Sequence, residues 1–376
     1  AGDALTDGFD NVAVGKGALT TEDRGAKTTA IGFEALATQN AGTGATYNTA
    51  VGASAGAALT TGLENTFVGG LAGDALTDAD YNVAIGSRAL GADTLGSRSI
   101  AIGRSTLGTQ NFTTATDAYN VAVGYEAGVA ITTGAVNTLI GGLAGDALTV
   151  GNSNVAVGTH ALSGDTKGDR NVAIGYAALQ TQNFTTSTDS HNVAIGYDAG
   201  NDITTGVQNT LIGSLCGDDI TTGYNNVCVG YNLNISAVNG NSQIIIGNGV
   251  GAGGNNTARF GTAAGSVTID LDGSDTSWAA ASDERLKKDV TDSVAGLSFI
   301  KNLRPITYKW KAKDEVANTL PQYDADSSDP VYGSGKTQHG FIAQEVKTVI
   351  NSHSEISNGF SMWSEDPDGT QQLAPA

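Results

Sequence analysis

Short runs in which small or apolar residues alternate with other residues recur along the first two thirds of the chain. Each run has the form x-Ala-(Val/Ile)-Gly, with small variations, as in Val83-Ala84-Ile85-Gly86, and it occurs fourteen times. The closing glycines follow one another at a constant short step, as from Gly86 to Gly103, and the step is slightly longer at three places. Alternation with a period of two predicts a short β-strand, and a fixed short repeat predicts a solenoid whose coils pack on their neighbours.

A longer period lies over the first one. Gly52, Gly124 and Gly196 are equally spaced and stand at equivalent places in the pattern, and we call this spacing the long repeat. The sequence of residues 71–77 is repeated one long repeat later at residues 143–149. Residues 1–6 have the same sequence as the last six residues of this segment. We therefore expect this sequence to be a fragment that starts inside a repeat.

The remainder of each coil contains a second short apolar segment and a turn, as in Ile131-Thr132-Thr133-Gly134. Two short strands within so short a coil predict a narrow parallel β-roll, with glycine where the backbone turns sharply. We assign residues 1–250 to this roll. At about 4.8 Å per coil, fourteen coils would span about 67 Å.

Asparagine occupies the position four residues before the closing glycine in eleven of the fourteen coils, including coils with Asn82, Asn120, Asn154 and Asn192. Stacked amides can hydrogen-bond along the axis of a roll and satisfy buried turn groups. We interpret these residues as a structural ladder. The alternative is that the same polar stripe binds a ligand.

Alanine at the centre of most strands makes the core of a single roll thin. Side chains this small gain little free energy from burial, at about 25 cal/mol per Å² of apolar surface. The outward Val and Ile residues therefore need another apolar surface, and three rolls packed side by side would supply it.

The repeats resemble the head domains of trimeric autotransporter adhesins, which are built of similar Val-Ala-Ile-Gly units. The resemblance covers residues 10–250, although the period in this chain is longer than is usual there. It implies a left-handed parallel β-roll in a homotrimer.

The longer coils carry insertions, Gln110 to Asp117 and Gln182 to Asp189, and Gln39 to Tyr47 is a degenerate third copy. An insertion on a rigid rod predicts a protruding loop. Phe112 and Phe184 would anchor these loops, and Asp117 and Asp189 would lie near their tips. Three interpretations stay open: an inert decoration or a clamp between chains, contact with a host receptor or glycan, or a cation site at the two aspartates.

Composition narrows the function classes. The net charge is −19 at pH 7, which argues against nucleic acid as a partner because phosphate binding needs Lys and Arg. No apolar stretch reaches the roughly 18 residues of a membrane span, so no membrane insertion is expected. A shift by one long repeat maps Cys216 and Cys228 onto alanines. This favours buried packing over a disulfide or a metal pair, and no metal site is predicted.

A glycine pattern, Gly249-x-Gly251-x-x-Gly254, matches a dinucleotide fingerprint by its letters. Phosphate binding by that fingerprint requires a helix N-terminus after the glycines, and no helical pattern follows. We interpret the segment as a linker and expect no cofactor. Residues 251–281 form a neck with one predicted strand, near Ser266 to Leu271.

The pattern changes again in residues 282–376. A helix is predicted from Val294 to Leu303, then a strand near Ile306, and a second helix that contains Ile342, Val346 and Val349 on one face. Three motifs stand out in this segment: Ser282-Asp283-x-Arg285-Leu286-Lys287, Leu303-Arg304-Pro305-x-x-Tyr308-x-Trp310, and Gly340-Phe341-Ile342-Ala343-Gln344-Glu345-Val346.

These motifs closely resemble the C-terminal intramolecular chaperone domain of viral tailspikes, endosialidases and neck appendages. The resemblance implies a small, mainly helical α+β domain that trimerises, folds the upstream fibre and then cuts itself off. Ser282 would be the nucleophile, Lys287 would accept its proton, and the bond between Ala281 and Ser282 would be cut. Without the resemblance, Ser282 would be interpreted as a helix N-cap.

Such an enzyme would be a serine peptidase that acts once on its own chain, with no external substrate. The family usually continues into a long C-terminal helix, and we expect that helix to be missing from this sequence. The leading interpretation is a virion tail fibre or spike that attaches to a host. The alternatives are an extracellular trimeric adhesin on a cell surface and a purely structural filament with the same chaperone.

Overall fold

The fold is taken from a computed structural model of the chain. It describes residues 1–271, 296–317, 323–328, 330 and 337–353, together with two short strands nearer the C-terminus. The chain divides into two compact units, Ala1–Thr276 and Ser277–Ala376.

The first unit is a parallel β-solenoid, which confirms the fold class predicted from the repeats. One strand from each coil joins a sheet of sixteen strands. Its strands are β1 (Val12–Val14), β2 (Thr29–Ile31), β3 (Thr49–Val51), β4 (Thr66–Val68), β5 (Val83–Ile85), β6 (Ile100–Ile102), β7 (Val121–Val123), β8 (Thr138–Ile140), β9 (Val155–Val157), β10 (Val172–Ile174), β11 (Val193–Ile195), β12 (Thr210–Ile212), β13 (Val227–Tyr231), β14 (Ile244–Asn248), β15 (Thr257–Thr262) and β16 (Gly265–Asp270).

Neighbouring coils pair in register, so that equivalent residues stack. Ala156 of β9 lies beside Ala173 of β10, and both side chains are fully buried. The residues on either side of each central residue face outward because successive side chains in a strand alternate between the two faces. The core is wider than the alanines at the strand centres suggest, because each coil also buries small or large apolar residues after its closing glycine, such as Ala127 and Ile131.

The closing glycines permit the close approach of successive coils. Gly124 has a φ of +141°, which L side chains rarely adopt. A Cβ atom at this position would lie 2.6 Å from the carbonyl carbon of Gly141 in the next coil. The backbones of adjacent coils are thus in contact at a row where no side chain fits.

The parallel stack continues one coil beyond the fourteen predicted from the sequence. β15 pairs in parallel with β14, with Gly261 opposite Gly247, and β16 then pairs antiparallel to β15. The structure thus adds β15 to the one strand expected in the neck. The residue of β15 opposite the buried Ile245 is Arg259, whose guanidinium donates to the carbonyl oxygens of Gly251 and Ala252.

The three longer coils add short second strands. These are two-residue parallel pairs, each linking an insertion to the coil before it. The pairs are Gly25–Ala26 with Gly44–Ala45, Gly96–Ser97 with Thr116–Asp117, and Gly168–Asp169 with Thr188–Asp189.

The described part of the second unit contains helices and short strands. In chain order these are α1 (Leu297–Asn302), β17 (Ile306–Tyr308), a 3₁₀ helix (Lys313–Glu315), β18 (Gln338–Gly340), α2 (Ala343–Ser352), β19 (Trp363–Glu365) and β20 (Gln371–Leu373). β17 pairs antiparallel with β18, and β19 with β20. Phe299 of α1 packs on Val346 and Ile350 of α2. Both helices and β17 lie where the sequence pattern predicted them.

Candidate functional site

The predicted ladder asparagines lie inside the roll. Asn82, Asn120, Asn154 and Asn192 are fully buried. The Nδ2 group of Asn82 donates to the carbonyl oxygen of Gly96 (2.9 Å), and its Oδ1 atom accepts from the backbone N–H of Ser99 (2.9 Å). Each amide therefore satisfies backbone groups of its own coil and of the next one. A ligand could reach these amides only if the roll opened.

The two aromatic residues of the insertions are buried. Phe112 is 7% exposed and Phe184 is 6% exposed. The residues between them and the second strands, 113–115 and 185–187, are exposed. The loop tips thus present small, mostly polar residues to solvent, while the phenylalanines lie below the surface.

The two aspartates of the insertions are exposed and form ion pairs. Asp117 accepts from the Nε atom of Arg98 at 2.9 Å, and Asp189 pairs with Arg170. Each pair joins an insertion to the preceding coil. Among the described residues, no group of three or more His, Cys, Asp and Glu side chains could hold a metal ion.

Three buried carboxylates beneath the insertions escaped the sequence analysis. They are Glu22, Asp93 and Asp165, which we call the caged carboxylates, and all three are fully buried. Asp93 accepts from the backbone N–H of Phe112 (2.9 Å) and from Nε2 of Gln110 (2.5 Å). The hydrogen bonds to each caged carboxylate therefore fix an insertion against the coil before it.

The geometry around Asp165 repeats that around Asp93. Asp165 accepts from the N–H groups of Gly168 (3.0 Å) and Phe184 (3.2 Å) and from Nε2 of Gln182 (2.6 Å). Burial raises the pKa of Asp165, and these hydrogen bonds partly oppose that rise. The available sequence signal was that Asp93 and Asp165 stand one long repeat apart.

The outer surface of the sheet is apolar along the roll. Its third strand position is Val or Ile in all fourteen repeats, and we call this row the outer column. Eight of these side chains are between 36% and 55% exposed, namely Val14, Ile31, Val51, Val68, Ile85, Ile140, Ile212 and Ile246. Large apolar side chains exposed in a continuous row are typical of an interaction surface.

Exposed aromatic residues form shorter rows beside the ends of the strands. The guanidinium of Arg98 lies 4.7 Å from the ring centroid of Tyr81 and 5.9 Å from that of Tyr119. The rings of Tyr176 and Tyr197 stack at 5.5 Å. In each of these pairs, the two side chains belong to adjacent coils.

The predicted catalytic residues, Ser282 and Lys287, and the predicted scissile bond between Ala281 and Ser282 lie outside the described residues. The structure does bring together the two other motifs of this segment. Arg304 donates two hydrogen bonds to Glu345, at 2.9 Å and 2.5 Å.

Two further contacts join these motifs. Ile306 pairs with Gly340 across β17 and β18. An open groove of about 470 Å³ lies beside this pair and is lined by Pro305, Ile306, Thr307, His339, Gly340 and Phe341.

Together, the solenoid and the segment after it define a class of protein: a tail-fibre-like chain with a C-terminal chaperone domain. A family model described as the chaperone of endosialidase matches residues 282–354. This match confirms the resemblance inferred from the three motifs. No curated protein and no solved structure matches the chain. Within the described residues, no helix has the length and apolar character needed to cross a membrane.

Proposed function

We propose that the chain forms a homotrimeric fibre of a virion, a tail fibre or spike, whose C-terminal domain assembles the fibre and then cuts itself off. The observation that carries the proposal is that one chain has both the exposed apolar outer column and a C-terminal match to the chaperone of endosialidase. The resemblance to viral tailspikes and neck appendages supports the placement on a virion.

The outer column supports the trimer. The column has Val or Ile in every coil, and its exposed members, such as Ile85 and Ile140, face away from the core. Packing three rolls along this column would bury it, and because these side chains are already about half buried within one roll, each would contribute about 1 kcal/mol. The interface would thus grow with every coil.

The chaperone role follows from the topology of the roll. Each parallel pairing joins strands that are separated by a whole coil, as Val121 is from Thr138, so loop-closure entropy is lost before the contacts form. Three chains must also meet in register. A domain that trimerises first would raise the effective concentration of the three rolls and shorten the period in which they can aggregate.

Self-cleavage would use the hydroxyl of Ser282 as the nucleophile. Lys287 would take the hydroxyl proton while the oxygen attacks the carbonyl carbon of Ala281. Lys287 would pass that proton to the nitrogen of Ser282 as the peptide bond breaks, which leaves an ester between the carbonyl carbon of Ala281 and the side-chain oxygen of Ser282. Water would then hydrolyse this ester and separate the two chains. The family match begins at residue 282, which supports this position for the reaction.

The exposed loop tips at 113–115 and 185–187 are the proposed contacts with a host receptor or glycan. They project from positions fixed by buried Phe112 and Phe184 and by the caged carboxylates. A glycan array probed with the purified fibre tests this step. Replacement of both tips by Gly-Ser-Gly should abolish any binding and leave the trimer intact.

Expression of the full chain tests assembly and cleavage together. We expect sedimentation to give a trimer, and mass spectrometry to find a released fragment that begins at Ser282. Ser282→Ala should give an uncut trimer, while Ser277→Ala, a nearby serine outside the motif, should be cut normally. A stable monomer would refute the trimer, and an intact wild-type trimer would refute the assignment of Ser282 and Lys287.

A further inference from the structure

We propose that an open cavity at the C-terminal end of the roll binds a small ligand with a single carboxylate group, through the guanidinium of Arg259. The cavity is formed by the segment that follows β14 and by the hairpin of β15 and β16. This site is independent of the proposed virion role, because all its residues belong to the solenoid unit.

The cavity is small and open to solvent. Its volume is about 190 Å³, and residues 249–251 and 262–266 line it together with Arg259. Two glycines of the pattern Gly249-x-Gly251-x-x-Gly254 thus form part of its wall. At Gly265, another lining residue, a Cβ atom would have no neighbour within 4 Å, so this position borders empty space. Pockets for drug-sized molecules have volumes of about 300–1,000 Å³, so this cavity suits a smaller ligand.

Arg259 occupies an unusual place in the roll. It stands opposite Ile245, in the column where the earlier coils have an apolar residue. Its Nε atom donates to Oγ of Ser266 (2.8 Å), and its Nη1 atom donates to the carbonyl oxygens of Gly251 (3.0 Å) and Ala252 (3.2 Å). These bonds fix the guanidinium against both segments of the cavity before any ligand is present. A site that is fixed in this way loses less entropy on binding.

The guanidinium of Arg259 forms no ion pair within the part of the chain that the structure describes. Other arginines of the described residues pair with carboxylates, namely Arg24, Arg98, Arg104, Arg170 and Arg304. The three oxygens that accept from Arg259 are neutral, and its Nη2 group has no hydrogen-bond partner among the described residues. Arg259 is also only partly exposed, so water solvates its charge incompletely. An anion at Nη2 would accept a charge-assisted hydrogen bond and compensate this charge.

The free donors favour a single carboxylate over a phosphate or a sulfate. Because Nε and Nη1 of Arg259 already donate to the protein, only Nη2 is left for one oxygen of the ligand. The hydroxyl of Ser266 lines the cavity, and its own hydrogen can be donated to the second oxygen. The net charge of −19 also repels a dianion more strongly than a monoanion. Two donors and one positive charge therefore match one carboxylate.

Saturation-transfer NMR on the full chain tests the site, because this method detects weak binding of small molecules. The probes are acetate and glucuronate, with glucose as the neutral analogue and sulfate as a competing dianion. We expect transfer to both carboxylates, none to glucose, and no displacement by an equal concentration of sulfate. Equal binding of the two probes would identify the carboxylate alone as the ligand, and tighter binding of glucuronate would identify an acidic sugar. Absence of transfer to both carboxylates, equal transfer to glucose, or displacement by sulfate would overturn the proposal.

Two variants locate the binding. Gly265→Leu should occupy the cavity and keep the three hydrogen bonds of Arg259, whereas Arg259→Gln should remove the charge. We expect each variant to weaken carboxylate binding by about tenfold or more, the effect of losing one charge-assisted hydrogen bond. Arg98→Gln, which removes an arginine that is already ion-paired, should bind as the wild type does. With wild-type thermal unfolding as the check on its fold, unchanged binding by Gly265→Leu would contradict this site, and so would a loss of binding in Arg98→Gln.

Discussion

In the roll, fully buried side chains follow one another coil after coil from Ala18 to Ile245, whereas the described part of the C-terminal unit has three buried apolar side chains. The roll also holds its backbone with buried amides and closely stacked glycines. The C-terminal contacts instead join two helices that are far apart in the sequence, through Phe299, Val346 and Ile350. The roll is therefore stabilised by contacts within each coil and between adjacent coils. The C-terminal unit depends on a few contacts between residues that are far apart in the sequence.

This difference predicts different responses to damage. In a solenoid, stability is approximately a sum of coil terms and nearest-neighbour terms, so a defect weakens its own coil and the adjacent ones. In a unit with a small shared core, a single truncation affects every element that packs on it. The following predictions test this contrast.

The largest effect is expected for Gly141→Ala, in the row of closing glycines. Gly141 has a φ of +136°, and a Cβ atom there would lie 2.6 Å from the carbonyl group of Gly158. We expect a loss of about 4 kcal/mol from backbone strain and overpacking, measured by thermal or denaturant unfolding. The control is Gly142→Ala, where a Cβ atom would have no neighbour within 4 Å. Equal effects of the two variants would contradict the proposed role of the row.

In the C-terminal unit, Phe299→Ala should cost about 3 kcal/mol, because it removes a buried aromatic side chain from a small core. Hydrogen exchange should become faster in both α1 and α2 and stay unchanged in the roll. Phe341→Ala is the matched control, since Phe341 is 42% exposed. If exchange rises only in α1, the two helices do not depend on a shared core.

A smaller and more local loss is expected for Asn154→Ala. The Nδ2 group of Asn154 donates to the carbonyl oxygen of Gly168 (2.9 Å), and its Oδ1 atom accepts from the N–H of Asn171 (2.9 Å). Removing the amide leaves two buried backbone groups without partners, at about 2 kcal/mol in total. Hydrogen exchange should rise in that coil and its neighbours only. Asn183→Ala, at an exposed asparagine, should have little effect, and a change along the whole roll would argue against nearest-neighbour stability.

The same contrast explains what the sequence could predict. Strands, turns and the positions of the amides follow from a repeat, because each coil sees nearly the same surroundings. β15 was missed because its step from Gly247 to Gly261 is short and Arg259 replaces the usual small residue. The caged carboxylates were not predicted, because Asp93 and its hydrogen-bond donor Gln110 are a whole coil apart in the sequence and become neighbours only when the coils stack.

The predictions of functional residues also differ between the roll and the C-terminal unit. The sequence predicted Phe112 and Phe184 as anchors of the insertions, but it did not indicate that their backbone N–H groups donate to the buried carboxylates Asp93 and Asp165. For the C-terminal unit, a family resemblance supplied the domain type, since no repeat exists there to indicate a fold. The roles of Ser282 and Lys287 stay predictions of that resemblance.

The smallest expected effect is a difference in pH dependence between the two units. Burial raises the pKa of Asp165 from its ordinary value of 3.8. A raised pKa means that the folded state binds the proton more tightly than the unfolded state. Protonation of Asp165 therefore adds to the free energy of unfolding. This contribution is complete below about pH 3.8 and is lost as the pH rises through the raised pKa.

Glu345 has the opposite sign. Its pKa is lowered from 4.5 by hydrogen bonds from Arg304, so its contribution is present above about pH 4.5 and is lost as the pH falls through the lowered pKa. Acidification from pH 7 towards about pH 4 should therefore slow opening of the segment around Asp165 and make α2 open faster. Hydrogen exchange, corrected for its intrinsic pH dependence, resolves both segments in one experiment. Asp165→Asn should flatten the response in the roll alone, and an unchanged response in that variant would mean that other carboxylates cause it.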